Sequence, residues 1–415
     1  GRFLIVGVPA WGVTVRVQLI GFGTVEQQVT VEAGQTTRVD FELRQSAIAL
    51  DEIVVTGAGM ATERRKLGNT VAAIDVSRVQ DAPVANVSEI LQGREPGVVA
   101  SLTGGGAGEG ANIRIRGGAS LSQSNDPIII VDGVRLDNGM GLGGLGPGGG
   151  SPSRLDDIDP AAIERIEILK GAAAATLYGT EASNGVIQIF TKGGTAGAPT
   201  WTLNIEQGIS RYPEGRYKRH AGFARTEEQA AHLSRFWGRE IRPFEVFEVD
   251  MWPNFFETGR YGSYSLSVSG GNEGVTYFVS GRYLSENGPF RNDGFGPPVN
   301  GLEYVEDANN KKQVSANVTF YATDKIRVRA NSMFVDGYVE IPENNNSIYG
   351  TISSIINSKP ENADERNPTG AVTTFGSIRE MMYRHASQST RRFAGSVGAN
   401  YTPVPSVSLD LTFGA

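Results

Sequence analysis

The sequence predicts a mainly β protein: part of a transmembrane antiparallel β-barrel, preceded by an α+β domain and by the tail of a small β-sandwich. Three observations carry that reading. Glycine supplies 54 of 415 residues, roughly twice its usual ~7 % share, which favours tight turns and close backbone approach over long helices. From residue 200 onward apolar and polar residues alternate in seven long runs, the period of a strand with two unlike faces. The links between those runs are alternately long and very short, as in an outer-membrane barrel.

Residues 1–48 come first. Val13, Val15 and Val17 alternate with Thr14, Arg16 and Gln18 as a half-buried strand. A turn at Gly21, Phe22 and Gly23 leads to strand character over 25–31, and Ala33 and Gly34 turn the chain into a further strand over 38–43. Strands this few and short do not enclose a core alone, so they read as the end of a β-sandwich. The best apolar run, residues 3–13, is broken by Gly7, Pro9 and Gly12 and falls short of the ~18–20 residues of a spanning helix. No signal peptide is visible, the chain begins without Met, and it stops inside an alternating segment. We therefore expect an internal portion of a longer polypeptide.

Asp51, Glu52, Ile53, Val54, Val55 and Thr56 follow, released by Gly57. Three consecutive β-branched apolar residues have strong strand propensity. At a domain boundary such a strand joins a neighbouring sheet or pairs with one from another chain.

The stretch 58–195 is punctuated as a mixed α and β domain. Strands are expected over 71–74, 98–100, 112–117, 127–131, 165–170 and 186–191. Asn86 caps a short helix over 87–92, with Glu89 at the capping-box position and Gly93 ending it. Asp159 and Pro160 read as N-cap and first helical residue. The alanine-rich run 172–178 is helical and stops at Gly179, and Asn184 and Gly185 make the tight turn into the last strand. Residues 141–146 spell GxGxxG but follow no strand and open no helix, so a flexible loop is expected in place of a dinucleotide site. Arg114, Arg116, Glu164 and Glu167, with Lys170, are expected to form a structural ion-pair network, because no nucleophile or histidine accompanies them.

Beyond 200, Leu203, Ile205 and Ile209 face away from Asn204, Glu206 and Ser210, and six further runs repeat the pattern to Val407, Leu409, Leu411 and Phe413 against Ser408, Asp410 and Thr412. Alternation does not say which face is wet, since a sandwich hides its apolar face and a barrel turns it to lipid. The connections decide. Residues 212–261, 286–311 and 337–391 are long, whereas 270–273, 322–324 and 402–405 are short turns. A sandwich has no reason to sort its loops this way. Residues 226–237 in the first long loop look helical, and an ordered loop there suits recognition.

The totals limit the chemistry. A net charge of -7 leaves no basic surplus for a nucleic-acid partner. There is no cysteine, and His220, His232 and His385 are too scattered for a metal cluster. No cofactor, metal or catalytic set is expected, and the chain is not expected to be an enzyme.

In order along the chain, four motifs resemble the TonB-dependent outer-membrane transporters of the SusC/RagA type. They are LDEIVVTG at 50–57, NIRIRGGAS at 112–120, DPIIIVDGVRL at 126–136 and IDPAAIERIEILKGAAAATLYGTEASNGVIQIFTKGG at 158–194. The resemblance implies that 1–48 ends a carboxypeptidase-regulatory-like domain, that 49–64 holds the TonB box (Asp51 to Thr56) and a linker, and that 65–194 is the plug. Residues 195–415 would then be the first seven strands of a barrel of about 22 strands. It also implies location in the bacterial outer membrane, with the N-terminal region periplasmic and the long loops extracellular. The partners implied are TonB with ExbB and ExbD, outer-membrane lipid and a SusD-like lipoprotein lid, in a dimer of transporter–lipoprotein pairs. Glycan or peptide nutrients are the implied cargo, and Ser120, Gln123 and Asn125 in the plug's outward loops are candidates to touch it. A ligand-sensing receptor without bulk import and a surface adhesin are the alternative readings.

Overall fold

A computed structural model describes residues 12–17, 25–31, 34, 36–41, 53–55, 61–63, 71–76, 86–102, 105–118, 125–136, 153–291, 305–342, 350–365, 367–371, 386–404 and 407–415. The GxGxxG stretch, Asp51, Glu52, Thr56, Ser120 and Gln123 lie outside them. The chain divides into two compact units, residues 1–56 with 61–68, and residues 57–60 with 69–415.

In the first unit, β1 (Gly12–Val17) pairs antiparallel with β2 (Val25–Thr30), and Val13, Val15 and Val17 are half-buried. Of residues 38–43, expected to form a further strand, 38–41 run as irregular chain and 42–43 lie outside the described residues. A strand must find ladder partners for its backbone groups, and among the described residues none pairs there. A second hairpin joins β3 (Ile53–Val55) to β4 (Ala61–Glu63).

The second unit opens with the α+β domain. β5 (Val71–Asp75) is followed by α1 (Val87–Leu91), where the Asn86 side chain accepts from the Glu89 N–H at 3.0 Å, the expected cap. β6 (Val98–Leu102) and β7 (Ala111–Ile115) form a hairpin of their own. β8 (Ile128–Val131) turns through Asp132 and Gly133 into β9 (Val134–Leu136). Then come β10 (Ile163–Leu169), α2 (Ala172–Tyr178) and β11 (Val186–Thr191). The sheet order is β5-β10-β11-β8-β9, with β11 parallel to β8 and every other pair antiparallel. A strand covered on both faces reads as nearly continuous apolar sequence. In β10, Ile163, Ile166, Ile168 and Leu169 are all buried, and three of them pack with Ile90, Leu91, Ile113, Ile187 and Ile189 in one core.

β12 (Gly197–Ser210) begins a second sheet. An excursion of β13 (His220–Phe223), α3 (Glu227–Trp237) and β14 (Val246–Val249) separates it from β15 (Gly259–Gly271). β16 (Val275–Asn287), β17 (Ala308–Thr323) and β18 (Ile326–Ile341) follow, and α4 (Thr351–Ile356) precedes β19 (Ala386–Val404) and β20 (Val407–Gly414). All seven long strands pair antiparallel in chain order. Residues 272–274 and 324–325 connect at one end; 211–258, 288–307 and 342–385 connect at the other. β17 and β18 have 16 residues each, more than the ~9–11 that cross a bilayer, so they project beyond it.

Which face is wet is now decided. Trp201 is 65 % and Phe413 68 % exposed, and Leu203, Leu266, Val318, Phe393 and Leu411 share that outer surface. The inner face is buried and polar: Ser263, Ser265, Arg282, Lys311, Gln313, Ser315 and Asn317. Apolar out and polar in is a barrel wall. One departure has a plain cause. On β18, Met333 and Val335 face inward, and they complete the core of the α+β domain that the wall encloses.

Candidate functional site: the coupling strand and the plug seat

Ile53, Val54 and Val55 pair with Glu63, Thr62 and Ala61 respectively. The hairpin is a two-stranded sheet. The outer edge of β3 therefore carries a row of backbone groups with no strand partner among the described residues, which is what a strand added from another chain requires.

Within the barrel wall, the plug rests on a seat built from residues 153–159. Asp157 is its centre. Lys311 Nζ on β17 lies 3.3 Å from Asp157 Oδ1, while Arg154 Nη1 and Arg392 Nη1 lie 3.4 and 3.9 Å from Oδ2. Asp156 turns the other way and accepts from the Ser88 N–H and Oγ at 3.0 Å each, tying the seat to α1. Burial pushes the Asp156 carboxyl up, opposed by Lys311 and the Ser88 hydrogen bonds. The Asp156 carbonyl accepts from Lys311 Nζ and Gln313 Nε2 at 3.3 and 3.4 Å. Ser265 Oγ donates to Asp159 Oδ2 at 3.1 Å, and Asn317 Nδ2 to the Lys192 carbonyl at 2.8 Å. Burying a charge is costly unless it is paired and hydrogen-bonded; Arg154 pairs Asp157 within the plug, and Lys311 and Arg392 add the wall's cations.

Beside β12 and β15 the fit is looser. A cavity of about 670 Å³ lies between plug and wall, lined by Glu164, Lys192, Thr202, Glu206, Ser265 and Ser267 among others. Burial holds the Lys192 ammonium below its usual range, with Asp159 and Glu164 pulling it back up.

Among the described residues, the first and third long connections carry regular elements. Their elements pack together through side chains that donate to backbone. His220 Nε2 lies 2.8 Å from the Ile355 carbonyl, Gln229 Nε2 donates to Glu361 O at 2.8 Å, and Trp237 Nε1 to Pro360 O at 3.3 Å. The expected helix is present with Thr226 as N-cap.

Of the expected ion-pair set, the structure makes no single network. Arg114 pairs with Asp126, whereas Glu164 and Glu167 both meet Arg165, at 3.5 and 2.9 Å. Arg116 is exposed at φ 61°, with its N–H on the Gly97 carbonyl. Lys170 pairs with Glu95. The cause is topological: β7 belongs to a separate hairpin, Ile113 and Ile115 take its core face, and Arg114 on the other face meets Asp126. Asn125 packs beside Gly118, 3.8 Å from where a Cβ there would lie. The seat residues Asp156, Asp157 and Lys311 were missed. The available signal was an adjacent acid pair at the end of a Gly-rich loop, together with cations on the polar face of strands 17 and 19.

An apolar-out, polar-in antiparallel wall with an α+β domain ion-paired inside it defines a plugged outer-membrane receptor. Residues 63–186 match the TonB-dependent Receptor Plug Domain. The chain is 30 % identical over 342 residues to the TonB-dependent receptor SusC of Bacteroides thetaiotaomicron, covering 81 % of this chain and 31 % of SusC. It is 28 % identical over 400 residues to the TonB-dependent receptor P26 of Formosa agariphila, covering 92 % of this chain and 36 % of P26. The RagAB peptide importer in its open-open state has the same fold, with a TM-score of 0.60 at 20 % identity over 88 % of this chain and 42 % of that one. The chain thus spans about a third of the length of the curated relatives it matches. It belongs to the TonB-dependent receptors of the SusC/RagA type. Members of this family are outer-membrane β-barrel proteins.

Proposed function

We propose that the whole protein imports an oligosaccharide or peptide nutrient across the bacterial outer membrane, driven by TonB with ExbB and ExbD. The observation that supports this best is the open edge of β3, ahead of a plug whose buried charges are satisfied by the wall. In this reading residues 1–48 end a regulatory-like domain, 49–64 are the TonB box and linker, 65–194 the plug and 195–415 the first seven barrel strands. The N-terminal region is periplasmic, the long connections are extracellular, and the outer apolar face meets lipid. A SusD-like lipoprotein closes the mouth, and two such pairs form a dimer. Ser120, Gln123 and Asn125 contact cargo. The peptide cargo of RagAB supports one of the two cargo classes.

TonB adds to β3 by strand augmentation, gripping the main chain of Ile53, Val54 and Val55 between Asp51, Glu52 and Thr56. Force on that strand pulls on the plug. Proline at 54 deletes a ladder donor and is tolerated poorly inside a sheet. The test is uptake by cells carrying Val54→Pro, normalised to receptor in the outer membrane. Uptake should fall to the level of cells lacking TonB while surface binding of cargo persists; import at the wild-type rate would sink the reading.

A further inference from the structure

The carboxylate of Asp307, one residue ahead of β17, is shared between two parts of the molecule. Its Oδ1 accepts from the Ala107 N–H of the plug at 2.6 Å, and its Oδ2 from the Phe290 N–H of the second long connection at 3.0 Å. Asp307 is 6 % exposed and has no slack. A Cβ on Gly288 would fall 1.8 Å from Oδ2, and one on Gly106 would fall 3.2 Å from Oδ1. Two more carboxylates crowd the place. The Gly106 N–H donates to Glu109 Oε2 at 3.2 Å, and the Gly108 N–H to Glu286 Oε2 at 3.1 Å. Three successive plug amides thus each meet a carboxylate, two of them from the wall. Burial, then Glu109 and Glu286, push the Asp307 carboxyl up to about 7 against the pull of its two N–H donors, so those donors hold a carboxylate that its surroundings disfavour.

Phe290 leads outward from there. Its segment is clamped on both sides: the Gly288 N–H donates to Asp307 O at 2.7 Å, the Glu257 N–H to Pro289 O at 2.8 Å and the Arg291 N–H to Phe255 O at 2.8 Å. The Phe290 ring lies 5.3 Å from that of Phe256, which stacks on Tyr212 at 4.8 Å, which stacks in turn on Tyr217 at 5.8 Å. Tyr217 ends the pile with half its surface exposed. A continuous run of packed rings and hydrogen bonds therefore joins the exposed end of the first long connection to the plug loop 105–110.

We propose that Asp307 is the joint through which displacement of the first two long connections reaches the plug. When Phe290 shifts outward, the carboxylate leaves the Ala107 N–H and the plug loop is freed. Packed neighbours alone do not prove coupling; an element with two arrangements that both sites bias does, and that role is assigned to the shared carboxylate. The joint's place in a transport cycle rests on the import reading, with cargo bearing on the Tyr217 end. The joint itself is measurable without cargo or TonB.

The test is amide hydrogen exchange over 105–110 in the full-length receptor. Tyr212→Ala, which removes the middle ring, should speed exchange there by about fivefold or more, the lower range of allosteric couplings. Asp307→Asn should speed it by itself and abolish the further response to Tyr212→Ala. Glu286→Gln should speed Gly108 yet leave that response intact. Should Asp307→Asn fail to insert, Ala107→Pro deletes the plug donor and serves the same purpose. No effect of Tyr212→Ala on 105–110, or an undiminished effect in the Asp307→Asn background, overturns the proposal. Either result would leave TonB-dependent uptake untouched, so the two readings fail separately.

Discussion

Lys311 Nζ on β17 and Asp157 Oδ1 on the plug lie 3.3 Å apart, with their side chains only 4 % and 3 % exposed. Removing one partner of a buried pair strands the other charge, at a cost of about 3–5 kcal/mol. Asp157→Asn removes the carboxylate that Lys311, Arg154 and Arg392 share, whereas Lys311→Met leaves Asp157 with Arg154 and Arg392. Thermal unfolding of the purified receptor should therefore show Asp157→Asn as the more damaging change. Because the pair is sealed from counterions, raising the salt should not close the gap between the variants. Equal effects would remove Asp157 from the centre of the seat.

Gly194, where plug meets barrel, is backed against β16. A Cβ there would lie 2.0 Å from the Tyr277 nitrogen and 2.5 Å from its carbonyl oxygen. Backbone does not yield as a side-chain tip does, so Gly194→Ala must part the two. We expect less folded receptor in the outer membrane, read by heat-modifiable gel mobility, while Gly193→Ala, which meets no atom within 4 Å, stays near wild type.

The pH dependence of plug seating has a definite sign. Asp307 goes from 3.8 in the unfolded chain to about 7 in place, so the seated state binds the proton more tightly. Its contribution to stability is full below about pH 4 and is lost as pH rises through 7. Glu109 and Glu286 face it and reinforce the trend. Exchange over 105–110, corrected for its intrinsic pH dependence, should be slower at pH 5.5 than at pH 8, and Asp307→Asn should flatten the difference.

Leu266 and Ser267 are neighbours on β15 with opposite surroundings. Leu266 lies on the outer face, and Ser267 lines the cavity beside the plug. Arginine on a lipid-facing position near mid-bilayer costs about 2–4 kcal/mol. Leu266→Arg should lower folding stability into lipid vesicles by that order, and Ser267→Arg much less. A reversed ranking would contradict the assignment of faces.

Much of this architecture was legible in the residues. Period-two alternation located all seven wall strands, and the sorted connections chose barrel over sandwich before any face could be seen. Asn86, Gly179 and Gly185 marked their boundaries because caps and turns depend on local chemistry. What escaped was non-local. Among the described ion pairs Arg114 meets Asp126 while Glu164 and Glu167 meet Arg165, because β7 lies in a hairpin of its own, and no spacing reveals that. Asp157 finds Lys311 154 residues away and Asp307 finds Ala107 200 residues away, so nothing beside them in sequence announces those contacts. Residues 38–41 have strand composition and no strand partner among the described residues, and the partner is what makes a strand.

Energised import is the central claim, and one measurement addresses it most directly. Cells carrying the full-length receptor, with and without TonB, are given labelled oligosaccharide and peptide mixtures, and internal accumulation is separated from surface binding. The account predicts that one cargo class accumulates only when TonB is present, with surface binding unchanged by its loss. Accumulation at the same rate without TonB would contradict it.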